Sequence, residues 1–206
     1  MKSPRIPPMI ADLIQTALSA CDGVVFDERG ACPACGGALS GYDTKKKQFA
    51  IMADGVGRRP IHVFVRRFFC KDCKKVCFAD EPFYPGTRVG SPVVDLCVTL
   101  PGTMPLTRTA TYLEKVGIYI DRMSVRNFVR RPLPPIATAS VFGIRLPMSV
   151  VALSSLATSL SEGDRIKGAE ALAACGFPSA SRAPLQPPAP GKERDKRKEE
   201  EGDKER

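Results

Sequence analysis

The amino-acid sequence predicts an α+β protein, on three observations. Two CxxC pairs, Cys32–Cys35 and Cys70–Cys73, bracket a segment with strand alternation and a Gly-containing turn. Residues 91–131 then alternate helix-start with helix-stop signals. The rest offers short helical stretches and ends in Ser, Ala, Pro and mixed charge, with too little apolar area to offset its ordering entropy. The predicted organisation is an N-terminal helix within 1–23, a four-cysteine metal-bound hairpin over 24–80, and a three-helix unit over 91–131. A short helical extension over 132–178 and a disordered charged tail over 179–206 complete it.

Each element has a local reason. Residues 8–20 read as a short amphipathic helix, with Pro8 suited to its first turn. Val24-Val25-Phe26 predicts a short strand into the first cysteine pair. Between the pairs, one strand is expected near Lys46–Met52, a turn at Ala53-Asp54-Gly55-Val56-Gly57, and a return strand over Ile61–Phe69. The last is rich in β-branched and aromatic residues. A hairpin that carries the chain from one cysteine turn to the other is the layout of a zinc ribbon. Ser91 as N-cap and Pro92 as first residue open a helix to Leu100, stopped by Pro101-Gly102. A second helix runs from Thr107 to Val116, with Gly117 as its stop. A third follows the N-cap Asp121 and ends at Arg130 or Arg131, ahead of Pro132 and Pro134-Pro135. Met148–Leu160 and Asp164–Cys175 are further helices, with Gly176 and Pro178 after the second.

The cysteines carry the strongest chemical signal. Cys32, Cys35, Cys70 and Cys73 form two tight turns whose thiolates can share one tetrahedral metal ion, a closed structural set with no position left for substrate. One Zn²⁺ is the expected cofactor; iron can occupy the same four sulfurs. A second CxxC argues against a thioredoxin-like dithiol at Cys32–Cys35. Cys77 fills the apolar position after the second turn or competes as a ligand; Cys97 and Cys175 read as core, and Cys21 carries no assignment. His62, the single His, lies between Ile61 and Val63 with no signposted partner, so it takes no catalytic role. No run of 18 apolar residues occurs, and Met1–Arg5 is followed by Asp12 and Gln15. Neither a membrane span nor a signal peptide is expected, and a reducing, cytoplasmic setting follows.

The net charge of +9 is concentrated: 17 Lys and Arg face 8 Asp and Glu between residues 41 and 131. Such a block points to a polyanion, most often nucleic acid. Lys45, Lys46, Lys47, Arg58, Arg59, Arg66 and Arg67 would contact phosphate, with Lys71, Lys74 and Lys75 nearby. The two helices on either side of Gly117–Asp121 form a helix-turn-helix candidate. Its second helix turns Val125, Phe128 and Val129 inward and leaves Arg122, Ser124, Arg126, Asn127, Arg130 and Arg131 for duplex DNA. Arg suits guanine and Asn suits adenine.

Cys-Pro-Ala-Cys-Gly-Gly at 32–37, the stretch Phe69–Val76 and the stretch Thr107–Val129 together resemble the N-terminal zinc ribbon and helix-turn-helix of insertion-sequence transposases of archaea and bacteria. Phe128 stands where those proteins usually have Trp, and Asp121 where Ser is usual. The resemblance covers about 30–131, half of the chain. It implies a zinc-binding, transposase-like DNA-binding protein. The transposases carry a metal-dependent nuclease domain after this region. Here the only acids between Arg131 and the charged tail are Glu162, Asp164 and Glu170, with no β-rich scaffold around them. No enzymatic activity and no small-molecule substrate are therefore expected; a regulator or a transposase remnant is. Other readings are the DNA-targeting subunit of a split transposase, with a catalytic transposase subunit as partner, and a protein-docking module.

Overall fold

The computed structural model describes residues 7–54, 57–102, 104–161 and 163–177. Among them the order is α1 (Pro8–Ser19), β1 (Val25–Phe26), β2 (Leu39–Asp54), β3 (Gly57–Cys70), β4 (Val76–Phe78) and α2 (Ser91–Thr99). There follow a 3₁₀ turn (Leu100–Gly102), α3 (Leu106–Lys115), α4 (Arg122–Val129), β5 (Thr138–Val141), β6 (Ile144–Pro147), α5 (Met148–Thr158) and α6 (Gly168–Ala174). The class is α+β. The tail expected to be disordered over 179–206 lies outside the described residues.

The main sheet has β3 at its centre. β2 runs antiparallel along one side over the whole length of β3, from Leu39 opposite Cys70 to Asp54 opposite Gly57. On the other side β1 pairs in parallel at Phe64 and Val65, and β4 pairs antiparallel at Arg67–Phe69. Ile61, Val63 and Val65 alternate into the core, as the period-2 pattern requires. β2 is far longer than the Lys46–Met52 expected from propensity. Its weak strand formers Gly41, Asp43 and Lys45 are held by the ladder to β3 rather than by their own preference. The register shifts at Tyr42 and at Phe49, each an extra residue in β2. The second bulge turns Phe49 and Ala50 inward together.

Phe49 sets the next element. Its carbonyl accepts the Gly90 N–H (2.8 Å), and its ring lies so close that a Cβ on Gly90 would sit 2.2 Å from Cε2. Gly90, not Ser91, is therefore the residue before α2. Ser91 lies inside the helix and is fully buried.

α3 ends in a Schellman turn. Ile118 N–H donates to Leu113 O (2.8 Å) and Gly117 N–H to Glu114 O (3.0 Å), with Gly117 at φ +87°. The chain then lies against β2. Met52 and Ile118 form a bridge, Ala53 N–H donates to Gly117 O (2.8 Å), and Tyr119 N–H donates to Ile51 O (2.8 Å). Asp121 caps α4 by accepting the Ser124 N–H (2.8 Å).

The C-terminal half departs most from expectation. A hairpin, β5–β6, precedes α5; its two central residues Phe142 and Gly143 both have positive φ, the type I′ pattern, without the usual Asn-Gly signature. α6 begins at Gly168 rather than Asp164, with Glu170 accepting the Lys167 N–H (3.1 Å) at its start. α1 packs against α5 from the other end of the sequence. One apolar cluster runs from Ile10 of α1 through the sheet and α2 to Cys175.

Candidate metal centre and cationic surface

The two cysteine turns are built alike. In each, the residue four after the first Cys donates its N–H back to that Cys carbonyl: Gly36 to Cys32 (2.8 Å) and Lys74 to Cys70 (3.1 Å). Each first Cys donates its own N–H to the residue five ahead, Gly37 O (3.1 Å) or Lys75 O (2.9 Å). The turn requires a left-handed residue, supplied by Gly36 (φ 72°) and, at a steric cost, by Lys74 (φ 59°). A bond from Lys71 N–H to Ala38 O (3.2 Å) holds the turns together.

All four sulfurs lie within 4.8 Å of one another, with Cys32 Sγ–Cys73 Sγ at 3.6 Å and Cys35 Sγ–Cys70 Sγ at 3.5 Å. A tetrahedral ion bound to four thiolates needs sulfurs roughly 3.8 Å apart, so the donor set fits a metal. The Ala34 N–H, first among several donors, pulls the Cys32 thiol down to about 6. The Gly37 N–H favours the Cys35 thiolate, yet the adjoining sulfurs of Cys70 and Cys73 outweigh it and hold Cys35 up at about 12. Four sulfurs this close all carry charge only when a cation shares the site. Burial pushes the Cys21 thiol up to about 12 and raises Cys97 and Cys175 as well, so these three are inert core residues. Cys77 faces Phe68 from β4, half-buried and outside the four-sulfur group, with its thiol raised by desolvation.

The cations around the hairpin are differently employed. Lys47 is tied to Glu81 (2.6 Å) and sits 4.0 Å from the Phe78 ring centroid. Arg59 pairs with Asp22 (3.3 Å), and Arg67 pairs with Asp43. Arg66 leans over Phe68, 5.6 Å from its ring centroid. Arg58 stacks on Tyr119, its guanidinium carbon 3.3 Å from the ring centroid. Lys45 and Lys46 are exposed on β2 with no ion pair among the described residues. Asp22 and Glu81 lie far along the chain from their partners, so spacing alone could not reveal either pair.

On α4, Val125 and Phe128 are buried, and the helix packs against α2 and α3. Val129 is only partly buried. Arg122, Arg126, Asn127 and Arg130 are exposed with no partner among the described residues. Two other predicted contacts have structural employment. Ser124 Oγ donates to Asp121 Oδ2 (2.6 Å), and Arg131 donates to Pro85 O (2.8 Å) and Gly86 O (3.0 Å). The cysteine turns and the α3–α4 turn occupy opposite ends of the hairpin: Leu39 and Met52 are separated by about 40 Å of extended chain.

Protein-family models, curated proteins and solved structures all return no match to this chain. Among the described residues, no helix is long and apolar enough to cross a membrane.

Proposed function

We propose that this chain binds duplex DNA without cutting it, with α4 as the base-reading helix of a helix-turn-helix unit and one structural Zn²⁺ in a β2–β3 ribbon. The observation that carries the reading is the outer face of α4. Arg122, Arg126, Asn127 and Arg130 project from a helix anchored by Val125 and Phe128, and the N-cap acid Asp121 uses both oxygens on its cap. Arg and Asn are the side chains that discriminate guanine and adenine in the major groove. The surplus positive charge over 41–131 adds sequence-independent attraction to phosphate. A transposase-derived DNA-binding protein or regulator would have this composition.

The test is duplex selection from a random pool with zinc-loaded protein at near-physiological salt. An enriched motif that is lost in Arg126→Ala/Asn127→Ala supports the reading; binding without enrichment sinks it. Zinc is tested by metal analysis of purified protein. One Zn²⁺ per chain, lost in Cys70→Ser, is expected; bound iron would reassign the metal.

A second reading, a protein-docking module, is favoured by the ion pairs that already neutralise Lys47, Arg59 and Arg67. In that case the α4 double variant leaves partner binding intact.

A further inference from the structure

Arg58 and Arg59 are neighbours at the end of β3, and their side chains part company. Arg59 turns to the end of α1, where Asp22 and the Ser19 hydroxyl receive it. Arg58 turns to Tyr119, two residues ahead of the N-cap of α4, with its guanidinium carbon 3.3 Å from that ring's centroid. The backbone beneath this pair is fixed. The bridge between Met52 and Ile118, the bond from Ala53 to Gly117 O and the bond from Tyr119 to Ile51 O join the hairpin end to the α3–α4 turn. Two segments that are separate in sequence are thus joined through their backbones.

We propose that the β2–β3 hairpin end and α4 form a single composite contact surface for duplex DNA, in which Arg58 grips a backbone phosphate beside the groove entered by α4 and Tyr119 is the positioning residue that holds the guanidinium. The inference rests on the DNA-binding reading above. Arg58 is exposed while it sits on the ring, and among the described residues it forms no ion pair. A planar guanidinium on an aromatic face keeps its edge N–H groups free for phosphate oxygens. A phosphate clamp tied to the reading helix fixes that helix's register on the duplex, while the bases themselves are read elsewhere.

The experiment measures affinity against salt for full-length zinc-loaded protein on a selected duplex and on a scrambled one. Arg58→Gln is expected to reduce the slope of log K against log salt by about 0.9 and to weaken both duplexes alike, roughly fivefold at 0.15 M salt. Tyr119→Leu should reproduce part of that loss and Tyr119→Phe should restore it, since the ring rather than the hydroxyl does the positioning. Melting temperatures of all variants check that the fold is retained. If Arg58→Gln leaves slope and affinity unchanged while Arg126→Ala/Asn127→Ala still erases sequence preference, the composite surface is wrong and the base reader stands. If the unmutated protein prefers no duplex, both fall.

Discussion

Asp95 is 3% exposed in α2 and accepts hydrogen bonds from Tyr84 Oη (2.8 Å) and Ser149 Oγ (2.6 Å). It ties the segment before α2, α2 itself and α5 to one carboxylate. Burial raises its pKa, against the two hydroxyls, which favour the charged form. An acid with a raised native pKa binds more protons folded than unfolded. Its stabilisation is therefore complete below about pH 4, the ordinary aspartate value, and declines as pH rises. Urea midpoints of the native chain and Asp95→Asn, compared from pH 4 to 7, should show the native advantage shrinking with rising pH. A difference that grows with pH would contradict this. Gly90 is a second residue-scale test. An added methyl meets the buried Phe49 ring at 2.2 Å, so Gly90→Ala should cost about 1–3 kcal/mol in denaturant unfolding.

At the scale of elements, the short helix α4 depends on its cap. Asp121 accepts both the Ser124 N–H and its hydroxyl, and these bonds, the hydroxyl first, hold the carboxyl below its usual range. Asp121→Ala is expected to lower stability by about 1 kcal/mol, read from thermal melting. The cap was legible because Asp directly before a periodic segment is a helix-start signal. The β5–β6 hairpin was not legible. Its turn holds an exposed Phe142 at φ 49°, where pattern reasoning expects Asn or Gly. Phe142→Asn should relieve that strain and raise the melting temperature; an unchanged or lower value would show that the Phe142 ring has work elsewhere.

Over the whole molecule, the four-cysteine cluster and the α3–α4 turn lie at opposite ends of the hairpin, while its middle is buried in the common core. Removing a metal bound there should therefore loosen the cysteine end first. Hydrogen exchange after chelation is expected to rise at residues 32–41 and 68–78, with Ile61, Val63 and Val65 still protected by the core. Uniform loss of protection would mean that the ion supports the entire fold, as in an isolated ribbon. Metal loading must displace protons from the raised Cys35 and Cys73 thiols, so apparent affinity should fall as pH falls. Titration with proton-release detection at two pH values measures it.

The sequence by itself determined that Cys32, Cys35, Cys70 and Cys73 come together, the helix boundaries over 91–131 to within about two residues, and the alternation of β3. These rest on short-range rules: CxxC spacing, cap residues, and period 2. Only the tertiary structure decided which cations remain available. Lys47, Arg59 and Arg67 found carboxylates, Arg131 found the carbonyls of Pro85 and Gly86, and Arg58 found Tyr119. Those partners lie between 24 and 61 positions away along the chain. Local propensity carries no information about them: the β2–β3 register sets Arg67 opposite Asp43, and the packing of the hairpin and of the end of α4 against other segments brings the rest within reach.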